Sequence, residues 1–262
     1  MKRYLKLYLT QWRYGLISSM VYRTNFMMWF FVDLAWGAIS LIFFMALYSN
    51  LTLLGGWTYF QMLLLLGCYR FFSAAFWGLL WPNMERIPQM INRGELDLWI
   101  TKPVDSQFLV STRYIRLNQI SSVMMGCGLI YYSSKFLPFV FTLWEVLSLF
   151  FLLISGIIIL YAVWFMTVTT VFYFGRLNNM VNLFPEIFNI AQFPKNAFPI
   201  FIQVIITFVI PVGIIAYTPA QIVMGRVLWW EIWLPIILAV GFLYLSHRFW
   251  NFALKSYTSA SS

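Results

Sequence analysis

The sequence predicts an all-α, polytopic membrane protein with six transmembrane helices. Three observations predict it. Of the 262 residues, 62% are hydrophobic and 10% are charged, whereas a soluble domain is about 45–50% apolar and about 25% charged. Apolar runs of roughly 20 residues, the length that crosses a bilayer, recur along the chain. Short polar stretches separate these runs, and a charge at hydrocarbon depth costs several kcal/mol, so those stretches belong in water. Six or seven spans with their loops use the whole length. The chain therefore reads as one transmembrane domain, residues 1–262, with no soluble domain beside it.

Residues 1–22 place Lys2, Arg3, Lys6 and Arg13 among aromatic and aliphatic side chains. That mixture describes a helix lying in the membrane interface. It lacks the apolar core and small-residue cleavage site of a signal peptide. Span 1 is read at 25–48 and span 2 at 58–81, joined by a loop holding Gly55-Gly56. Residues 85–105 form a polar island with seven of the chain's 25 charged side chains. Pro88 suits a first helical turn and Gly94 a helix C-terminus. Leu96, Trp99 and Ile100 then fall at i, i+3 and i+4, one face of a short helix. Lys102-Pro103 ends it, because the residue before proline leaves the helical region, and Asp105 or Ser106 caps the next helix. Local pattern leaves two readings of this island: an amphipathic helix facing water, or a solvated loop resting on the bilayer.

Span 3 is read at 106–132 and span 4 at 142–173, the latter long enough to tilt. A turn at 175–179 leads to span 5 at 178–193. Residues 194–226 are apolar but broken by Pro194, Pro199, Pro211 and Pro219. They read as re-entrant half-helices on the outer side, since irregular backbone at membrane depth must be covered by protein. The other reading makes 198–217 a full span and 177–193 an interfacial helix. Span 6 at 228–248 and a Ser-rich tail at 249–262 complete the chain.

Orientation follows from charge. With the N-terminus inside, 13 of the 17 Lys and Arg residues are cytoplasmic and only Lys135, Lys195 and Arg226 are outside. Basic residues accumulate in cytoplasmic loops, so both termini and the 85–105 island are expected inside. The net charge of +9 is thus a matter of orientation, and no nucleic-acid partner is expected. Trp57, Trp144, Trp229, Trp230 and Trp233 suit an outer aromatic belt.

No catalytic constellation is present. His247, beside Arg248, reads as an interfacial residue. Cys68 and Cys127 lie in spans without metal-ligand spacing. No G-x-S-x-G and no G-x-x-x-x-G-K-[ST] occurs, so neither a serine hydrolase nor a nucleotide-binding loop is expected. Asp33 and Arg70 lie about 12 Å and 16 Å from the inner ends of spans 1 and 2 at roughly 1.5 Å per residue. Similar depth on antiparallel neighbours suits an intramembrane ion pair. Ala74 with Gly78, and Ser122 with Gly126, are small i, i+4 pairs that allow close helix packing. These features leave open a carrier driven by an ion gradient, which would show more intramembrane acids at a broken-helix site, and a membrane scaffold without transport.

Six spans, a basic interfacial N-terminal helix and a loop between spans 2 and 3 resemble the permease subunits of type-2 ATP-binding-cassette (ABC) exporters. Arg93-Gly-Glu-Leu-Asp-Leu-Trp-Ile-Thr-Lys-Pro103 is similar to a bacterial subfamily with a Gly-x-Leu-Asp…Lys-Pro signature at this place. Phe208-Val-Ile-Pro-Val-Gly-Ile-Ile-Ala-Tyr-Thr-Pro-Ala220 is similar to that subfamily's outer re-entrant region. The resemblance implies an elbow helix at the N-terminus and a coupling helix at Glu95, Leu96, Asp97, Trp99, Ile100, Lys102 and Pro103 that docks a cytosolic ATPase. It implies pairing with a second permease, identical or related, in a bacterial inner membrane. It further implies that ATP and magnesium are bound by the partner ATPase and that this chain holds no cofactor. An amphipathic helix in water would give such a motor an apolar face and flanking charges.

Overall fold

The computed structural model describes residues 2–137, 143–174, 178–209, 217–221, 224 and 233–257. Among them the secondary structure is helical, with one isolated bridge between Leu54 and Trp57. Four runs are long and apolar enough to cross a membrane: Arg23–Tyr48, Tyr59–Asn92, Val146–Phe174 and Trp233–Leu254. The chain is a multi-pass membrane protein. The first of these, helix α2, follows the interfacial helix α1 (Lys2–Val21).

Spans 3 and 5 are not single helices of crossing length. Span 3 divides into α7 (Ser106–Thr112) and α8 (Ile120–Ser134), with α8 entered through a 3-10 turn at Leu117–Gln119. The 15 residues of α8 rise about 22 Å, short of a hydrocarbon core of about 30 Å. The break is built jointly with the second run. Helix α3 (Tyr59–Ala75) passes through a π turn at Phe76–Leu80 into α4 (Trp81–Met84) and α5 (Ile87–Asn92). At the π turn the Gly78 carbonyl accepts the Arg116 N–H at 2.8 Å. The Asn83 amide, 1% exposed, donates to the Tyr114 carbonyl at 2.8 Å and accepts the Tyr114 N–H at 2.8 Å. One side chain thus substitutes for a helical partner at both polar groups of Tyr114.

Helix α3 is the axis of the bundle, and nearly all its side chains are buried. It crosses α8 where Gly67 meets Gly126: a Cβ added to Gly126 would lie 2.9 Å from the Gly67 carbonyl oxygen. Beyond it, Phe76 stacks on Trp164 of α9 (Leu143–Thr169) at 4.7 Å and on Phe188 of α11 (Asn178–Asn189) at 4.4 Å. Helix α10 (Val171–Phe174) extends α9. The final helix, α13 (Trp233–Leu254), packs along α9 through Trp250 and Phe165, whose rings are 5.0 Å apart.

Span 5 is α11 followed by a 3-10 turn, Ile190–Gln192. Phe193 then meets Phe43 and Phe44 near the far end of α2. Ala197 abuts Gly55 in the loop before α3. Helix α12 (Ile200–Val204) and a π turn (Ile205–Val209) open the proline-punctuated stretch. Residues 210–216 and most of 222–232 lie outside the described residues, as does most of the 208–220 motif. The flanks of the stretch meet: Lys195 lies over the Tyr217 ring at 4.8 Å, and that ring is 5.2 Å from Trp57.

The α3–α8 crossing yields a direct test. Gly126→Ala should destabilise the protein by about 1–3 kcal/mol, the usual overpacking cost. Gly128→Ala, at a position with open space around its Cβ, should not. Thermal unfolding in detergent measures both, and equal stability of the two variants would refute the close crossing.

Candidate functional site

Residues 85–105 divide into a buried and an open half. Ile87, Pro88, Met90 and Ile91 of α5 are buried, so the first part of the expected aqueous island is protein core. Gly94 ends α5 with φ 72°, a left-handed conformation that favours glycine. Asp97–Ile100 forms a single turn, α6. Leu96 precedes it and is 0% exposed. This corrects the expectation that Leu96 shares an outward face with Trp99 and Ile100. The chain turns so tightly after Gly94 that Leu96 points back into the bundle and pins the loop there. Leu98, 67% exposed, and Ile100 are the open apolar side chains. Sequence reasoning missed Leu98 because a four-residue turn does not sustain the helical face that the spacing implied.

Trp99 is half-buried, and its ring meets two cations. Lys102 Nζ lies 3.9 Å from the ring centroid and the Arg113 guanidinium 4.2 Å from it, two cation–π contacts. Glu95 and Arg93 approach to 3.9 Å at an exposed site, a contact of little energetic weight. Pro103 is exposed in the bend before α7. Asp105 caps α7 by accepting the Phe108 N–H at 2.8 Å. The Tyr4 hydroxyl of α1 accepts the Asp105 N–H at 3.2 Å. Tyr257 lies beside Asp97, and burial first, then the neighbouring carboxylate, push its hydroxyl pKa above the usual value. His247 hydrogen-bonds Gln107 and Asn251 at 3.0 and 2.9 Å. The start of α1, the α6 turn and the end of α13 therefore gather at one end of the bundle, opposite Trp57.

The second site lies deeper. Arg70 Nη2 donates to Asp33 Oδ2 at 2.8 Å and to the Asp33 carbonyl at 3.1 Å. The same carboxylate oxygen accepts Ser121 and Ser122 hydroxyls at 2.6 and 2.7 Å. Asp33 and Arg70 are 9% and 4% exposed. The cluster ties α2, α3 and α8 together. Sequence reasoning read Ser122 only as a small packing residue paired with Gly126, and it did not single out Ser121.

Asp33 and Arg70 line a cleft of about 1070 Å3 bounded by α1, α2, α3, residues 115–119 and α11. Trp29 and Trp36 of α2 and Trp77 and Trp81 of the second run face it. On the α11 side stand Glu186 and Asn189, the latter accepting the Tyr69 hydroxyl at 3.1 Å. Among the described residues no group of three His, Cys, Asp or Glu side chains is placed to hold a metal ion. The chemistry available is therefore that of a large, tryptophan-rich, charge-bearing cleft in a membrane bundle.

A family model described as ABC-2 family transporter protein matches residues 34–261. No curated protein and no solved structure matches the chain.

The ion pair predicts a specific pattern of stabilities. Asp33→Asn or Arg70→Met alone leaves the other charge buried and should cost about 3–5 kcal/mol. The double variant should lose less than the sum of the two. A double-mutant cycle on thermal stability in detergent measures the coupling, and strictly additive losses would refute it.

Proposed function

The chain belongs to the ABC-2 family of transporter proteins, and on that premise we propose that it is the permease of an ATP-driven exporter, working as a dimer with a separate cytosolic ATPase. ABC-2 family membership makes it a membrane permease of an ABC transporter, and a permease of this family is not itself catalytic. Export, a bacterial inner membrane, pairing with an identical or related permease, and ATP with magnesium on the partner ATPase extend that statement. The observation that carries the proposal is the open α6 turn. It presents Leu98 and Ile100 beside Glu95 and Asp97 at the end of the bundle where α1 and the end of α13 also lie. That patch offers two apolar anchors for a groove and acidic side chains that set register against a basic partner. Trp99, Lys102 and Pro103 complete the face, with the Trp99 ring held rigid by its two cations. Leu96 serves the permease itself.

The cleft is the proposed translocation path. It favours transport over a scaffold role, because a charge-bearing cavity in a membrane bundle is costly to maintain. Asp33 itself is not a free ion site, since Asp33 Oδ2 already accepts three donors. The 194–226 stretch is proposed as re-entrant from the outer side, in keeping with its two flanks meeting at Trp57. The long exposed apolar face of α2 is available to lipid or to the second permease.

Two measurements test this reading. A cysteine placed at Asn92, an exposed position, should be protected from an impermeant reagent applied to intact cells and should react after permeabilisation. Labelling from outside would reverse the orientation. Leu98→Ser with Ile100→Ser should leave insertion intact but abolish co-purification of the ATPase and its stimulated turnover. Leu96→Ala should instead lower stability by about 2–5 kcal/mol, the cost of a core truncation. Full ATPase retention by the double variant would show that the turn is only a solvated loop.

A further inference from the structure

Four charged side chains face the cleft: Asp33, Arg70, Arg116 and Glu186. The first two neutralise each other at 2.8 Å. The other two stand open. Arg116 is exposed to the cleft from the segment before α8, and Glu186 from α11. Among the described residues neither makes an ion pair. Glu85 is the carboxylate that acts most on Arg116, yet it stays beyond ion-pair distance. An open charge facing a membrane cleft is costly unless something compensates it. A simple anion would compensate Arg116 and leave Glu186 bare, and a simple cation would do the reverse.

Resting on the reading of the cleft as the translocation path, we propose that it takes an amphiphile with a zwitterionic head, the anionic group on Arg116 and the ammonium group at Glu186. Two further observations fit this occupant. The tryptophans supply faces for an ammonium group and for an alkyl chain. The volume of about 1070 Å3 lies at the upper end of ligand pockets, which run from about 300 to 1,000 Å3, and is far larger than a single ion requires. The source of the chemistry is either a membrane phospholipid or a single-chain cargo.

The test uses the full chain purified in a nonionic maltoside, without the ATPase. Three probes with one alkyl chain are compared: dodecylphosphocholine, dodecyl phosphate and dodecyltrimethylammonium. Each is titrated against a brominated amphiphile that quenches tryptophan fluorescence. The zwitterion should bind about tenfold more tightly than either singly charged probe, the worth of about 1.4 kcal/mol. Arg116→Gln should reduce the zwitterion to the affinity of the cation and leave the cation unchanged. Glu186→Gln should reduce it to that of the anion. Arg116→Lys and Glu186→Asp keep the charges and should keep the preference, which separates recognition from misfolding. A dihexanoyl phosphatidylcholine arm distinguishes the sources: stronger competition than the single-chain zwitterion assigns a phospholipid, weaker competition a single-chain cargo. Equal binding of all three probes, or equal weakening of all three by both Gln variants, overturns the proposal. Because no ATPase is present, that failure leaves the transport reading standing. Loss of ATPase docking, in turn, leaves the binding result intact.

Discussion

A backbone at membrane depth must satisfy every N–H and C=O within the protein, and this constraint organises the bundle. An unbroken helix meets it without help. This chain interrupts its second and third spans at the same level and lets each interruption complete the other. The π turn at Phe76–Leu80 presents the Gly78 carbonyl, and the extended segment at 114–116 supplies the Arg116 N–H that fills it. Asn83 completes the match at Tyr114. Without that pairing, the N–H and carbonyl of Tyr114 and the N–H of Arg116 would lose the partners that replace helical bonds there. The interruption is also what brings Arg116 and Gln119 to the cleft, because a continuous helix would direct those side chains by helical periodicity alone.

The second constraint is charge. Burying a carboxylate and a guanidinium together returns little net stability, since desolvation consumes the attraction. The Asp33–Arg70 pair is therefore better understood as a register device. Its geometry is met only when α2, α3 and α8 stand at one relative height, with Ser121 and Ser122 completing the carboxylate shell. The Gly67–Gly126 crossing enforces the same height sterically. Two independent contacts thus hold α3 against α8, and α2 joins them through the polar cluster, through Gly37 beside Met125 and through Phe44 against Phe193. Only Asp33, Gly37 and Phe44 of α2 are buried.

What was legible in the sequence is what depends on local composition. The long apolar helices at Arg23–Tyr48 and Val146–Phe174, the Gly94 helix end and the choice of Asp105 or Ser106 as the next cap follow from hydropathy and from residue types with narrow conformational roles. The pairing of Asp33 with Arg70 followed from counting along two antiparallel helices, although the count to Arg70 runs through the π turn at Phe76–Leu80. What was not legible depends on tertiary contact. Arg113 to Arg116 contains no proline or glycine, so nothing local announces the break in span 3. The partner that permits it, Asn83, lies 31 residues away from Tyr114. Leu96 was placed on an outward face because its spacing from Trp99 and Ile100 is helical, but α6 starts only at Asp97. The apolar residues of α5 were counted with the polar island because they sit among charges in sequence, while in space they continue the packed axis of α3.

That continuity has a mechanical consequence. The second run carries Trp77 on its π turn and Trp81 on α4, both facing the cleft, and ends in α5, which leads directly to the Gly94 turn and α6. Leu96 is locked into the core and Trp99 is clamped by Lys102 and Arg113. The α6 turn is thus anchored on both sides of Leu98. Beyond α5 lies the π turn, whose wider hydrogen-bonding register is the weakest point of the run and a common place for a helix to bend. The backbone N–H of Arg116 is bonded to that same turn, so Trp77, Trp81 and Arg116 meet the cleft from one joint. The exposed α6 turn and one wall of the cleft thus belong to one continuous run of chain, with its π turn where the cleft begins.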